Sequence, residues 1–154
     1  MTLVVCGIVR EYFKTKNMDV SIKFFEDTST VDKASQSLGV TPGEIAKSLL
    51  FKVKEDYIMV LMAGDKKIDN RKFKDAFFCK AKMPNPDEVM EITGHPVGGV
   101  CPFGLKNPIN VYLDISLKAY DIVYPAAGEA NAAVKLSVQK LAELTGGKWI
   151  DISN

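Results

Sequence analysis

The sequence of 154 residues contains little cysteine and histidine: three cysteines, Cys6, Cys79 and Cys101, and one histidine, His95. The cysteines are widely spaced and none belongs to a Cys-x-x-Cys pair, which favours reduced thiols over a disulfide framework. A histidine-rich metal site is excluded. Zinc ligands usually come in closely spaced pairs, so a zinc site would require the fold to gather all four residues. We therefore expect no metal or organic cofactor.

Several enzyme motifs are also missing. The chain has no G-x-S-x-G elbow, P-loop, G-x-G-x-x-G or H-E-x-x-H sequence. The net charge of +1 indicates that any nucleic-acid contact must come from a local basic patch. The short N-terminal apolar run lacks a preceding basic segment, and no other run approaches the length of a membrane span. We expect a cytoplasmic protein with no membrane association.

Length and composition predict a single domain over residues 1–154. Apolar residues at helical spacing predict a first helix over residues 3–16. N-cap residues predict four further helices, which begin after Thr30, Asp69, Asn85 and Ser137. A capping box formed by Thr41 and Glu44, with proline between them, predicts one more helix.

Apolar runs between these helices predict the strands. The short connection between 48–53 and 57–63 predicts an antiparallel hairpin. Because strands and short helices alternate, with hairpins as well as crossovers, we predict an α/β fold of the α+β type: a mixed, mostly antiparallel, barrel-like sheet surrounded by short helices. The predicted strands are 21–26, 48–53, 57–63, 78–83, 109–113, 120–124, 133–136 and 148–152.

Lys47 is the first candidate functional residue. It follows the predicted helix start at Thr41 and comes directly before a strongly apolar strand. A lysine at such a junction either reaches into a pocket or extends past the helix end to solvent. The sequence alone leaves both interpretations open.

Residues 95–104 form the least regular stretch and predict a shaped loop. Adjacent Gly98 and Gly99 allow backbone N–H groups to approach a ligand and to act as an oxyanion hole. The alternative is a tight turn with Phe103 inserted in the core. Residues 126–129 form another turn of small residues, which either leaves room for a ligand or is simply a turn.

A run of basic residues between positions 66 and 82 includes Lys66, Lys67, Arg71 and Lys72. Such a run is either a solvated helix face or an edge that meets phosphates. His95 is a candidate general base or an exposed residue beside Pro96. Cys101 is a weaker candidate nucleophile, because no base or helix N-terminus near it would lower the pKa of its thiol.

The motifs taken together resemble one protein family. Their order and spacing, from about residue 20 to the end, resemble the YbaK/ProX family of aminoacyl-tRNA deacylases, which also occurs as the editing domain of bacterial prolyl-tRNA synthetases. The motifs are A-x-x-x-L-G-V (34–40), I-A-K-S-L-L-F (45–51), L-M-A-G-D (61–65), T-G (93–94), G-G-V-x-P-F-G (98–104), V-Y-L-D (111–114), A-A-G-E (126–129) and L-x-x-L-T-G (141–146).

This resemblance implies a trans-editing deacylase that hydrolyses the ester of a mischarged tRNA, and the expected substrate is Cys-tRNA(Pro) or Ala-tRNA(Pro). It implies catalytic roles for Lys47 and Gly99. The implied partners are the 3′ end of mischarged tRNA and prolyl-tRNA synthetase, with the protein acting as a monomer or homodimer. Substrate-binding residues would be Gly98, Val100, Phe103, Gly104, Ala127 and Gly128. For such a partner the basic run described above would supply the tRNA contacts, Lys66, Lys67, Arg71 and Lys72.

One stretch departs from the family pattern. Five alanines lie between positions 126 and 133, where relatives often carry polar or ionisable side chains that help to choose the amino acid. This departure leaves the substrate open. It also leaves two alternatives: a non-catalytic binding or regulatory protein on the same fold, and a hydrolase of another small ester.

Overall fold

The computed structural model describes residues 2–18, 20, 22–24, 30–129 and 131–154, and for residues 2–6 only the backbone. Five α-helices are present in this part of the chain: α1 (Thr2–Thr15), α2 (Val31–Leu38), α3 (Asn70–Phe77), α4 (Pro86–Thr93) and α5 (Val138–Thr145). The strands are β1 (Ile22–Phe24), β2 (Ile45–Val53), β3 (Asp56–Ala63), β4 (Asn110–Asp114), β5 (Ile122–Pro125), β6 (Ala132–Val134), β7 (Leu136–Ser137) and β8 (Lys148–Ile150).

The helices begin where the capping residues predicted them. The side chains of Thr30, Asp69, Asn85 and Ser137 each accept a hydrogen bond from the backbone N–H three residues later, at distances from 2.8 to 3.2 Å. Such caps satisfy backbone donors that have no partner inside the helix. Three of these helices end at a glycine in the left-handed conformation, whereas α3 ends at Phe78, whose φ is 61°.

The strands form a mixed sheet of six, in the order β7-β5-β2-β3-β4-β8, and a separate pair, β1-β6. The hairpin of β2 and β3 is the longest ladder. Antiparallel ladders account for the larger share of the paired residues, and parallel pairing joins β3 to β4, β4 to β8 and β5 to β2. The predicted mixed, barrel-like sheet with surrounding helices is therefore confirmed.

β3 lies at the centre of the sheet and is buried on both faces. Met59 and Leu61 belong to a core cluster that includes Phe13 of α1 and Leu141 of α5. Val60 and its neighbours on the opposite face belong to a second cluster, packed against α3. Because successive side chains of a strand point to opposite faces, a strand covered on both sides is apolar throughout, as the sequence of β3 is.

Two predicted elements are wrong. The capping box at Thr41 forms, with the Thr41 N–H donating to Glu44 at 2.9 Å, but it starts only one 3-10 turn (Pro42–Glu44) before β2 begins at Ile45. Pairing of Ala46 with Ala63 in the ladder overrides the local helix signal. The predicted strand at 78–83 is absent: this segment contributes the Lys82 carbonyl, which accepts from the Lys52 N–H at 2.8 Å.

Smaller differences concern strand ends. The predicted strand at 133–136 is divided between β6 and β7, which pair with different strands. Strands β4, β5 and β8 begin or end within two residues of the predicted positions. Of the predicted strand 21–26, the structure describes 22–24 as β1, and the remaining three positions lie outside the described residues.

Candidate active site

A cavity of about 290 Å³ lies beside β2. Its lining is mostly apolar, and among the described residues that line it only Lys47 carries a charge. Helices α2 and α4, strand β6 and the loop after α4 form its walls. The lining residues are Thr30, Val31, Ala34, Ile45, Ala46, Lys47, Ser48, Leu49, Leu50, Met83, Val89, Val97, Gly98, Val100, Tyr124, Ala126, Ala132 and Ala133.

The cavity exists because the edge of β2 opposite β3 is only partly covered. Strand β5 pairs with β2 at Ile45 and Ala46 alone. Farther along, the Lys52 N–H points away from β3 and donates to Lys82. Since alternate residues of a strand direct their backbone groups to the same side, the N–H and C=O groups of Ser48 and Leu50 also point away from β3. This edge therefore brings backbone donors and acceptors to an otherwise apolar cavity.

Lys47 lies within β2, opposite Met62 of β3, and not at the end of a helix as the sequence predicted. Its side chain is half-buried and its ammonium donates to the carbonyl of Lys66. Burial lowers the pKa of Lys47; the charge of Asp65 opposes this shift and that of Lys67 reinforces it. Lys47 is thus among the residues that line the cavity, and its ammonium is bound to the neighbouring loop.

The structure brings the two turns of small residues together. The Gly128 N–H donates to the carbonyl of Gly99 at 3.1 Å. A Cβ at Gly99 would lie 2.4 Å from the backbone nitrogen of Glu129, so only glycine fits this contact. Gly98 lines the cavity with a φ of 94°. The resulting loop pair closes one side of the cavity.

The N–H groups of the two glycines differ. The Gly99 N–H donates to the carbonyl of Pro96 at 2.9 Å, so it is engaged inside its own loop. Within the described part of the chain, the Gly98 N–H has no hydrogen-bond acceptor. Gly98 is therefore better placed than Gly99 to donate to a ligand.

Of the remaining predicted substrate contacts, one lines the cavity and the others do not. Val100 lines the cavity, together with Ala126 next to the predicted Ala127. Ala127 and Gly128 are buried behind that wall. Phe103 packs in the core against Phe13, with ring centroids 4.7 Å apart. At Gly104 a Cβ would approach Ile8 of α1 to 2.6 Å. The structure assigns Phe103 and Gly104 to the packing of the loop on α1 and not to the cavity.

His95 is fully buried, so of its two interpretations the exposed residue beside Pro96 is wrong. Its Nε2–H donates to the Phe103 carbonyl at 2.7 Å, and burial lowers its pKa, with that hydrogen bond opposing the shift. Cys101 is also fully buried, and burial raises the pKa of its thiol to about 12. A neutral, inaccessible thiol is a poor nucleophile. Both residues lie outside the cavity lining and stabilise the loop.

The basic run divides into exposed and tethered residues. Lys66, Lys67 and Arg71 are exposed. Lys72 is tied to the segment after β8: its ammonium lies 3.0 Å from the Asp151 carboxylate and donates to the Ser153 carbonyl at 2.9 Å. The run therefore forms a basic surface, on which the Lys72 ammonium is less free to bind a ligand because it already has two partners.

Several lining residues were not predicted from the sequence. Ser48 directly follows Lys47, and its hydroxyl is buried with no hydrogen-bond partner among the described residues. Unpartnered buried polar atoms are uncommon in folded proteins, so this hydroxyl is available to a ligand in the cavity. Val31, Met83 and Val97 come from three separate segments. No spacing in the sequence indicates that such distant residues meet.

The described residues contain neither a metal-binding cluster nor a membrane-spanning helix. No group of three or more histidine, cysteine, aspartate or glutamate side chains in that part of the chain is arranged to hold a metal ion. No helix there is both long enough and apolar enough to span a bilayer.

Comparison with known proteins identifies the family. The model of the aminoacyl-tRNA editing domain matches residues 26–144. The uncharacterized protein YwhH of Bacillus subtilis (strain 168) is 46% identical over 147 residues, which cover 94% of each chain. Proline–tRNA ligase of Thermotoga sp. (strain RQ2) is 39% identical over 77 residues, or 49% of this chain and 13% of the ligase.

A more distant relative and a solved structure extend the match. EbsC of Enterococcus faecalis (strain ATCC 700802 / V583), named as a candidate Cys-tRNA(Pro)/Cys-tRNA(Cys) deacylase, is 24% identical over 145 residues, 93% of this chain and 88% of EbsC. A crystal structure described as a candidate trans-editing enzyme for prolyl tRNA synthetase superposes with a TM-score of 0.91, at 28% identity over 97% of each chain. The chain therefore belongs to the aminoacyl-tRNA editing domain family, a family of hydrolases.

Proposed function

We propose that this protein is a trans-editing deacylase that hydrolyses the ester bond of Cys-tRNA(Pro) or Ala-tRNA(Pro). The observation that carries the proposal is the position of Lys47, a cationic side chain at an apolar cavity whose open strand edge and glycine loop supply backbone donors. An aminoacyl-tRNA 3′ end combines the matching features: a phosphodiester, an ester carbonyl and an amino-acid side chain.

Lys47 holds the 3′ end in register. A charge-assisted hydrogen bond from its ammonium to a phosphate or ester oxygen is stronger than a neutral one. The interaction is strengthened by the partial burial of Lys47, since charges interact more strongly where water is displaced. When the substrate binds, the Lys47 ammonium exchanges its hydrogen bond with the Lys66 carbonyl for one with the 3′ end.

The ester carbonyl is polarised by backbone N–H groups. Gly98 supplies one such group from the loop, whereas Gly99 holds that loop against Gly128. Donors fixed in advance stabilise the charge that develops on the carbonyl oxygen without reorganising during the reaction. In this proposal Gly98 polarises the ester carbonyl, and not Gly99 as the resemblance implied.

The attacking group is water or a hydroxyl or thiol of the substrate itself. An aminoacyl ester is already reactive, so correct placement supplies much of the acceleration. His95 and Cys101 are buried outside the cavity lining, and neither is needed as base or nucleophile.

The choice of amino acid follows from the lining. The walls nearest β6 carry Ala126, Ala132 and Ala133, which favour a small, uncharged side chain. The names of EbsC and of the matched crystal structure support tRNA(Pro) as the carrier. A synthetase separates side chains that differ by about one methylene by only about 1–3 kcal/mol, which explains the need for a second, hydrolytic site.

The tRNA body lies on the basic surface. Lys66 and Lys67 belong to the loop that contacts Lys47, and Arg71 follows on α3. We expect these residues to contact phosphates, and Lys72 to contribute less because it is held by Asp151. The protein would act in the cytoplasm on tRNA released by prolyl-tRNA synthetase, as a monomer or homodimer.

Deacylation of tRNA(Pro) charged separately with cysteine, alanine and proline tests this function. We expect one mischarged substrate to be hydrolysed well above the spontaneous rate and Pro-tRNA(Pro) to be spared, because the alanine-lined cavity selects by side-chain size and shape. The measurement is the release of labelled amino acid over time. Hydrolysis of none of the three by folded protein would overturn the proposed substrates, and cleavage of small aminoacyl esters without tRNA affinity would favour a different hydrolase.

A further inference from the structure

Asp114, at the end of β4, carries a carboxylate that no step of the proposed reaction uses. The residue is fully buried. Its Oδ1 accepts from the Ile152 N–H at 2.9 Å, and its Oδ2 accepts from the Ser153 hydroxyl at 2.6 Å and from the Ser116 N–H at 2.9 Å. Burial opposes ionisation of this carboxyl, but these hydrogen bonds outweigh it and lower its pKa. The charged carboxylate is thus a fixed junction between separate segments.

The hydrogen bond between Asp114 and Ser116 connects this carboxylate to the end of β3. The Ser116 hydroxyl, placed by Asp114, accepts from the Ala63 N–H at 3.1 Å. Ala63 is the last residue of β3, and its carbonyl accepts from the Lys66 N–H at 3.0 Å. Asp114 therefore fixes the start of the loop formed by residues 64–69.

The hydrogen bonds from Ile152 and Ser153 to Asp114 connect the carboxylate to the end of the same loop. The Ile152 carbonyl accepts from the Asp69 N–H at 2.8 Å, and the Asn154 N–H donates to the Lys67 carbonyl at 3.1 Å. Ile68 and Ser153 form an isolated antiparallel bridge. The segment held by Asp114 thus fixes residues 67–69.

Lys66 lies between these two fixed points, and its carbonyl accepts from the Lys47 ammonium. The other charged groups that act on Lys47 are Asp65 and Lys67, which belong to the same loop. The position of the loop therefore determines both the hydrogen-bond partner and the charges around the cationic group of the cavity.

We propose that Asp114 is a positioning residue for Lys47, which it orients through the 64–69 loop. The inference rests on the proposed deacylase function for its kinetic readout alone. Asp114 does not contact the cavity, and it acts by keeping the Lys66 carbonyl and the Asp65 carboxylate in place. Displacement of a reacting or binding group by about 1 Å can lower a rate about 100-fold.

The test compares Asp114→Asn with Asp151→Asn. The first change places an amide –NH₂ where carboxylate oxygens accept hydrogen bonds. The second removes an exposed ion pair with Lys72 on the same segment and leaves the junction intact. The first readout is the pKa of Lys47, followed without substrate by NMR of ¹³C-labelled lysine side chains. The second is kcat/KM for deacylation, with kcat and KM resolved separately.

In Asp114→Asn we expect the pKa of Lys47 to rise towards its ordinary value, because burial is the largest cause of its depression and the loosened loop exposes the ammonium. Displacement of the Asp65 carboxylate, whose charge favours a higher pKa, opposes this rise as the smaller effect. We expect kcat/KM to fall about 10- to 100-fold. Asp151→Asn should leave the Lys47 pKa and kcat unchanged, and the release of Lys72 towards the tRNA would show only as a lower KM. A folded Asp114→Asn protein with the wild-type Lys47 pKa would overturn the proposal, whether or not any tRNA is deacylated.

Ser153→Ala and Ser153→Thr keep the test decisive if Asp114→Asn does not fold. The alanine variant removes a single hydrogen bond to Asp114 and should shift the Lys47 pKa in the same direction by a smaller amount. The threonine variant retains a hydroxyl and should restore the wild-type value. An alanine variant indistinguishable from wild type in the Lys47 pKa would contradict the proposed connection.

Discussion

Replacement of Lys47 with alanine is expected to lower kcat/KM for deacylation about 100- to 1,000-fold, a loss typical of removing one preorganised donor from an active site. The reason is that Lys47 is the sole charged group among the described residues that line the cavity. Without it the oxygens of the substrate that enter the cavity have no cationic partner among the described lining residues. Steady-state kinetics with the preferred mischarged tRNA measures the loss.

Lys52→Ala is the matched control for this experiment. Lys52 lies on the same strand, towards the hairpin turn, and is absent from the cavity lining. Both variants should have a free energy of unfolding within about 1 kcal/mol of that of wild type, because neither lysine belongs to the packed core. Equal rates for Lys47→Ala and wild type would contradict the assigned role, and equal losses in both variants would indicate a general effect of charge on tRNA binding.

Replacement of Gly99 with alanine is expected to affect both stability and activity. The new Cβ would lie 2.4 Å from the backbone nitrogen of Glu129 and 2.6 Å from the carbonyl carbon of Gly128. These are backbone atoms, so the two loops must separate, and the hydrogen bond from Gly128 to Gly99 is lost. We expect a cost of about 1–3 kcal/mol in the free energy of unfolding.

The same change should lower kcat/KM about 100-fold, because Gly98 moves with the displaced loop. Gly7→Ala is the control: Gly7 lies in α1 and a Cβ there meets no atom within 4 Å. That substitution should stabilise the protein by about 0.5–1 kcal/mol through helix propensity and leave the rate unchanged. Denaturant unfolding and deacylation kinetics check both effects. A Gly99→Ala protein as active and stable as wild type would show that the loops need not touch.

Local signals in the sequence predicted the helices well. Each cap at Thr30, Asp69, Asn85 and Ser137 depends on a hydrogen bond to a residue three positions away, so the nearby sequence contains all the required information. The helix predicted from the capping box at Thr41 was wrong because its outcome depends on a distant part of the sequence. The helix is cut short by the ladder between β2 and β3, which local sequence cannot weigh against the cap.

The candidate site was predictable where family motifs carried it and not elsewhere. Lys47 and Gly98 lie in motifs whose order indicated the pocket, and both line it. Ser48 escaped notice because a serine in a strand has no distinctive spacing. Phe103 was misplaced because its loop motif does not reveal which residues face the ligand and which face the core. Lys72 was included in the tRNA contacts because its partner Asp151 is 79 residues away.

A substrate analogue tests most directly whether the cavity beside β2 holds the aminoacylated 3′ end. We would titrate the protein with 3′-alanylamido-adenosine 5′-monophosphate, in which a stable amide replaces the ester, and follow amide and lysine side-chain signals by NMR. We expect saturable shifts at Lys47, Ser48, Gly98 and Ala133, with Lys47→Ala weakening the binding. Shifts confined to another surface, such as the open groove beside Tyr57 and Asn107, would contradict the assignment of this cavity as the active site.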